Sequence, residues 1–300
     1  MIAKINNIKY INYDNRYDLD GKGSYIQLVN ISSNSDDIVP VIKYKVLENY
    51  DGIIHGFSTR LGGVSKEHLY SMNLSFSRGD EREDVLINHD RFSKAIGYDC
   101  NRLVFSDQTH KITIYEVTEK DCGKGIAKDS DITEVDGLIT NKSNIPLITF
   151  YADCVPLFFY DPVNKVVGLA HSGWKGTVGN IANAMVDKFV ELYGSNPSDI
   201  VAAIGPSICV DCYEVSQDVA LQFMAAYSET EIKYILYSKD NGKYQLNLHE
   251  ACKRNLINSG VLEGNISMPD FCTCCNPDIL YSHRASNGMR GNLAAVIMLK

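Results

Sequence analysis

Residues 151–176 read YADCVPLFFYDPVNKVVGLAHSGWKG, and this stretch decides the fold. Two runs rich in Val, Phe, Leu and Tyr, 155–160 and 165–170, flank Asp161-Pro162-Val163-Asn164. Branched and aromatic side chains suit a pleated, buried surface, and Asp, Pro and Asn favour a turn. The stretch is therefore predicted to be an antiparallel hairpin. With a four-residue loop Tyr160 faces Lys165, and counting back along both strands sets Cys154 opposite His171. Opposed residues have Cβ atoms ~4.5–5.5 Å apart on one face. That spacing suits two ligands of one tetrahedral ion, because thiolate and imidazole each reach ~2.0–2.3 Å to zinc. A slip of one residue sends the two side chains to opposite faces.

Such a pair has three readings. It is part of a metal site, or a nucleophile with its base as in thiol hydrolases, or two core residues, since free Cys is among the most buried types. The flanks favour chemistry. Asp153 precedes the cysteine, and after His171 the chain runs through Ser172-Gly173-Trp174-Lys175-Gly176 into a helix, whose free N–H groups suit an anion. A third metal ligand is best sought in His110, which sits where a strand begins, with His55 as its rival. Three ligands leave a fourth position open, as in catalytic rather than structural zinc sites.

Outward from the hairpin, strands are predicted over 102–106, 111–117, 136–140, 146–151 and 293–299, and alternating strands within 1–50. Helices are predicted over 80–96, ended by Gly97, and over 177–193, ended by Gly194, with two more over 216–227 and 248–259. His89 shares a face of the first with Val85, Phe92 and Ile96 and is read as packed or half-exposed rather than functional. No repeat or Pro/Ser-rich linker divides the chain. The fold expected is α+β: one layered domain over 1–300, with mixed, largely antiparallel sheets flanked by helices, residues 1–50 being its strand-rich N-terminal part.

The chain has 300 residues, 45% of them hydrophobic, and a formal charge of −8. That balance argues against binding nucleic acid, whose phosphates attract clustered Lys and Arg. No apolar stretch approaches the ~18 residues of a membrane span, and the N-terminus has no signal-peptide core. The expectation is a cytoplasmic protein with no membrane partner. In that reducing compartment the nine cysteines are thiols or metal ligands rather than disulfides.

The segments His55–Ser65 (HGFSTRLGGVS), Gln108–His110, Val135–Thr140 (VDGLIT), Ala152–Cys154, Leu169–Thr177 (LAHSGWKGT), Ile204–Val215 (IGPSICVDCYEV) and Tyr281–Leu299 (YSHRASNGMRGNLAAVIML) occur in this order. Together they resemble the bacterial YfiH/YlmD-type proteins, first labelled laccase-like polyphenol oxidoreductases and later purine nucleoside phosphorylases. The resemblance covers roughly residues 50–300. It implies zinc held by His110, Cys154 and His171, and a YfiH-like layered fold. It further implies phosphorolysis of adenosine, inosine, guanosine and methylthioadenosine to base and sugar 1-phosphate, with hydrolytic deamination of adenosine. The chain departs from the family where Tyr281-Ser282-His283-Arg284 replaces Phe-Ser-Tyr-Arg, and His283 is read there as a variant packing residue.

Deamination needs an activated water at C6 of adenine and a carboxylate to carry the proton. Asp153 is nearest in sequence, although neighbouring strand residues point to opposite faces. Phosphorolysis needs cations around inorganic phosphate, for which Arg60, Lys175 and Arg284 are candidates, each equally readable as surface charge. Ser58 is a candidate neutral donor. Trp174 reads as a packing anchor or a surface for a base. Cys209, Cys212, Cys272, Cys274 and Cys275 read as neighbouring thiols without a metal, a structural zinc being the other reading. Seven histidines and no His-x-His pair argue strongly against four-copper oxidation, and a copper-dependent polyphenol oxidoreductase stands as an alternative function. Copper(II) nonetheless binds Cys–His₂ ligands more tightly than zinc. A cysteine hydrolase acting on a cell-wall precursor or peptide, and a non-enzymatic module with a closed four-ligand site, are the competing functions.

Overall fold

A computed structural model describes residues 1–11, 23–32 and 37–300. The strands are β1 Ser24–Asn30, β2 Ile38–Tyr44, β3 Ile53–Ser58, β4 Ile114–Glu116, β5 Gly137–Thr140, β6 Leu147–Tyr151, β7 Val155–Asp161, β8 Val166–Ser172, β9 Val201–Ile204, β10 Glu214–Val215, β11 Leu236–Ser238, β12 Tyr244–Leu246, β13 Ile266–Ser267 and β14 Leu293–Leu299. They form an antiparallel five-stranded sheet in the order β1-β2-β3-β14-β6, a mixed six-stranded sheet β13-β9-β7-β8-β5-β4, and a small sheet β10-β12-β11.

The two large sheets pack face to face between helices. β7 and β8 are buried along their whole length, and strict alternation divides their side chains. Val155, Leu157, Phe159, Val166 and Ala170 face the helix Ile181–Tyr193. Phe158, Tyr160, Val167 and Leu169 meet Ile42, Phe57, Leu147, Ala295 and Ile297 of the other sheet. This period of two is what a strand buried on both faces requires. Gly168 lets the helix approach, since a Cβ there would lie 2.8 Å from the Phe189 ring and 2.9 Å from Met185 Sδ. The outer face of the five-stranded sheet, with Val39, Val41, Ile148 and Val296, is covered by Phe92 and Ile96 of the helix Arg82–Ile96. The α+β layered architecture follows. Among the described residues no helix is long and apolar enough to cross a membrane.

Three expectations change. The hairpin pairs Asp161 with Val166 and Pro156 with His171, two residues away from the register that opposes Cys154 to His171. Asp161 Oδ1 accepts the N–H groups of Val163 and Asn164 at 2.8 and 3.1 Å, and Lys165 turns left-handed at φ 53°, so the loop closes one pair later on each side. Cys154 lies just before β7, whose first residue Val155 pairs with Ser172. The helix expected over 177–193 is two helices, Trp174–Val178 and Ile181–Tyr193, because Asn180 adopts φ 63° and caps the second through its side chain. The strands expected over 102–106 and 111–117 shrink to an isolated bridge at Val104 and the short β4. The N–H groups of residues 109–111 are diverted from any ladder to a buried carboxylate.

Of the N-terminal part, β1 and β2 extend the five-stranded sheet beyond β3. Ile11 N–H bonds to Asp270 O at 2.9 Å beside a bridge between Tyr10 and Phe271.

Candidate metal centre

That carboxylate belongs to Asp136, the residue before β5, and it is wholly buried. It accepts the backbone N–H groups of Thr109, His110 and Lys111 at 3.0, 3.0 and 2.8 Å, and His171 Nδ1 lies 2.8 Å away. The His171 N–H also bonds to Asp136 O at 2.7 Å. One acidic side chain thus shapes the loop that presents His110 and orients the ring of His171. Burial alone would raise its pKa, but the imidazole and the amide donors outweigh burial and hold it below the usual carboxylate range.

With Nδ1 tied to Asp136, His171 offers Nε2. His110, at φ 63°, brings its Nε2 to 3.9 Å from Cys154 Sγ, and its ring centroid lies 4.9 Å from that of His171 at 79°. One donor atom from each of the three residues lies within 4.8 Å of the others. A tetrahedral zinc with bonds near 2.3 Å to sulfur and 2.0 Å to nitrogen sets those atoms about 3.3–3.5 Å apart. The trio therefore fits such an ion after a small contraction. His110 is exposed, Cys154 half-buried and His171 buried, so the site is open on one side.

The pair's electrostatics agree. Burial would raise the Cys154 thiol, but the charge of His171 and hydrogen bonds from both imidazoles bring it down to about 6. Burial would lower His171, but the Cys154 thiolate and the Asp136 carboxylate lift it to about 9. Without metal the two form a thiolate–imidazolium pair. His55, the rival ligand, is buried in β3, where its Nε2 accepts the Tyr44 N–H at 3.0 Å, and burial followed by the charge of Lys43 holds it neutral, at about 3.

Gly173 is required by close approach. A Cβ there would lie 2.7 Å from His110 Cδ2 and 3.2 Å from Cys154 Sγ. We expect Gly173→Ala to displace the His110 ring and weaken metal binding at least tenfold, about 1.4 kcal/mol, with little change in melting temperature. A competitive chelator titration checks it, and unchanged affinity would refute the steric argument.

Two cavities meet at His110 and Cys154. The larger, about 350 Å³, runs from His110, Cys154 and His171 past Phe76, Phe105 and Phe150 to Arg78 and Arg290. The rings of Phe76, His89 and Phe105 stack within 20° of parallel, and Phe150 meets Phe105 edge-on at 5.2 Å. His89 is buried in that stack with Nε2 2.8 Å from Leu74 O. Arg290 is half-buried: burial, then the charge of Arg78, lowers it to about 10. Its guanidinium meets Gly291 O and Asn292 Oδ1, while Nε has no partner. The smaller cavity, about 260 Å³, is bounded by His110, Asp153, Cys154, Trp174, Lys175 and Tyr213 among others.

The structure brings His110, Cys154, His171, Asp153 and Lys175 to these cavities and leaves three candidates elsewhere. Ser58 is buried, with Oγ accepting the Ala294 N–H at 2.9 Å. Arg60 donates to Tyr70 O and Pro277 O, both at 2.8 Å, and lies over the Tyr281 ring. Arg284 donates to Cys212 O and Glu214 O, both at 3.0 Å, with its charge 5.3 Å from the centroid of Tyr213. None of the three lines either cavity. Asp153, left-handed at φ 94°, accepts Thr273 Oγ1–H at 2.6 Å and the Arg284 N–H at 2.7 Å. Lys175 is exposed, 5.6 Å from the centroid of half-buried Trp174, in a helix of only five residues. Sequence reasoning missed Asp136, Arg78, Arg290 and the phenylalanines. For Asp136 a signal existed: an acid between Val135 and Gly137-Leu138-Ile139, where a buried strand begins.

Residues 54–300 match the family model described as multi-copper polyphenol oxidoreductase laccase. The chain is 40% identical over 256 residues to a protein of Bacillus subtilis named purine nucleoside phosphorylase YlmD, covering 84% of this chain and 91% of that one. It is 35% identical to a purine nucleoside phosphorylase of Deinococcus radiodurans, covering 82% and 88%. Among solved structures, YfiH of Bacillus licheniformis superposes with a TM-score of 0.82 at 34% identity, over 87% of this chain and 96% of that one. YlmD of Geobacillus stearothermophilus gives 0.79 at 34%, over 84% and 93%.

Proposed function

The chain belongs to the multi-copper polyphenol oxidoreductase laccase family, and from that premise we propose that it is a zinc-dependent purine nucleoside phosphorylase. Its substrates are adenosine, inosine, guanosine, methylthioadenosine and inorganic phosphate, and it also deaminates adenosine. The relatives' names support the activity. The observation that carries the reading is an open His₂Cys trio on a cavity that holds both an aromatic surface and two arginines, Arg78 and Arg290.

A purine is flat and apolar on its faces, and the Phe76, Phe105 and Phe150 surfaces suit it by stacking and burial. Arg78 and Arg290 lie on the wall of the same cavity, where guanidinium forks match phosphate. In phosphorolysis a phosphate oxygen bonds to the anomeric carbon while the bond to the purine nitrogen breaks. Its electron pair leaves with the base, which takes up the proton that hydrogen phosphate gives up, and base and sugar 1-phosphate are released. Bound at His110, Cys154 and His171, zinc supplies Lewis acidity where the cavities meet. Asp136 holds the His171 ring and the His110 loop throughout. Asp153, bordering the smaller cavity, is the proton carrier for deamination, each oxygen keeping a lone pair beyond its existing hydrogen bond.

The test is to measure the metal content and incubate the protein with inosine or adenosine, with and without phosphate. Hypoxanthine or adenine released only with phosphate supports phosphorolysis. Full activity in metal-free protein would sink the zinc mechanism, and copper in the purified protein would reassign the ion. The thiolate–imidazolium pair favours one rival, a cysteine hydrolase. Ester or peptide cleavage abolished by Cys154→Ala, with no base released from any nucleoside, would establish it instead. We expect Arg290→Ala and Arg78→Ala to raise KM for phosphate roughly tenfold or more, the worth of one charge-assisted hydrogen bond, and Arg60→Ala to leave it near wild type. Phosphate titrations at saturating inosine decide this, and an unchanged KM in both of the first two variants refutes the assignment.

A further inference from the structure

A second group of metal-ligating side chains lies outside the trio. Cys209 and Cys212 follow β9, and Cys272 and Cys275 follow β13. Their four sulfurs all lie within 4.8 Å of one another, with Cys212 to Cys275 at 3.4 Å and Cys209 to Cys275 at 3.9 Å. We propose that Cys209, Cys212, Cys272 and Cys275 hold a structural zinc ion, distinct from the His110–Cys154–His171 centre.

The geometry matches that ion. Zinc–sulfur bonds near 2.3 Å in a tetrahedron set sulfurs about 3.8 Å apart. A disulfide needs about 2.05 Å, so the observed separations suit a shared ion better than a bond. Reading the C-terminal group as Cys-x-Cys-Cys hides its pattern: Cys272-x-x-Cys275 is a second Cys-x-x-Cys, matching Cys209-x-x-Cys212, and Cys274 stands outside the group. The backbone also prepares for thiolate charge, because the N–H groups of Cys209 and Cys275 point at Cys272 Sγ at 3.2 and 3.4 Å. Four thiols that take one Zn²⁺ release their protons to solvent, and no redox partner is needed. The tetrahedron is then closed, which marks a structural rather than a catalytic site.

Its place explains what it would hold. Ser207 and Cys272 form a bridge, with the Thr273 N–H on Ser207 O at 3.1 Å. From the same two loops the Ile208 N–H meets Asp153 O at 3.1 Å, Thr273 Oγ1–H meets Asp153 Oδ1, and Cys212 O accepts from Arg284. The ion would lock together the two segments that fix Asp153, the neighbour of Cys154. This proposal does not depend on the nucleoside activity.

The test is metal analysis of the full chain purified from zinc-replete medium without chelator. His110→Ala/Cys154→Ala should retain about one zinc per chain, the closed four-sulfur site, and Cys274→Ser should leave the count unchanged. Cys212→Ser/Cys275→Ser should lose that ion and keep the one at the trio. If this last variant does not fold, the first still decides. Retention of no metal by a folded His110→Ala/Cys154→Ala protein overturns the proposal. So does an intact mass, denatured without reductant, about 2 Da low for a disulfide mapped to these cysteines. Iron in place of zinc overturns the identity of the ion.

Discussion

Cys154→Ala and His110→Ala are each expected to lower kcat/KM for inosine phosphorolysis by roughly a thousandfold or more, and to lose the metal at the trio. Lewis-acid stabilisation of transition-state charge is worth several kcal/mol, and each 1.36 kcal/mol is tenfold in rate. Neither residue is a major part of the core: His110 is exposed and Cys154 half-buried. The melting temperature of the metal-free protein should change little. The wild type should show the reason in its pH dependence. Between about 6, where Cys154 becomes a thiolate, and about 9, where His171 loses its proton, the ion must displace the His171 proton. That step makes metal affinity rise about tenfold per pH unit across the window and level off above it. Affinity independent of pH there would contradict the thiolate–imidazolium pair.

Asp136→Ala should be the most damaging single change outside the three ligands. It removes an acceptor shared by three backbone N–H groups and His171, in a place with no access to water. Breaking one side of a buried charged pair costs about 3–5 kcal/mol, or a melting temperature lower by roughly 6–10 °C at about 2 °C per kcal/mol. Loss of a partner that orients a metal-bound histidine also weakens metal binding by about 10- to 100-fold. Calorimetry and a chelator titration on the same sample check both. A variant that melted normally yet bound metal as the wild type does would show that the His110 loop forms without Asp136.

Much of the layered fold was legible because its elements are written locally. The runs of β6, β7, β8 and β14, and the capped helices Arg82–Ile96 and Leu248–Asn258, carry period and stop signals in a few adjacent residues. The helix break at Asn180 was missed because its αL conformation competes with an unbroken apolar stripe. The register was missed by two residues because an aspartate-capped loop and left-handed Lys165 set the closing pair. A shift of two preserves which face a side chain takes, so His171 still points between the sheets, against Tyr151.

The candidate site divides the same way. Residue types and order sufficed to nominate His110, Cys154 and His171, since few side chains bind a soft divalent ion and these three recur in family segments. Tertiary structure alone brought their donors within 4.8 Å, because a carboxylate 26 residues beyond His110 in sequence bends its loop. It also took Arg60 and Arg284 away from the cavities, where backbone carbonyls from other segments claim their guanidinium groups, and put Arg78 and Arg290 there instead. A sequence specifies what a side chain can donate, accept or ligate. Which partner satisfies it is settled only when distant segments are packed together, as with the four cysteines that two loops bring to one point.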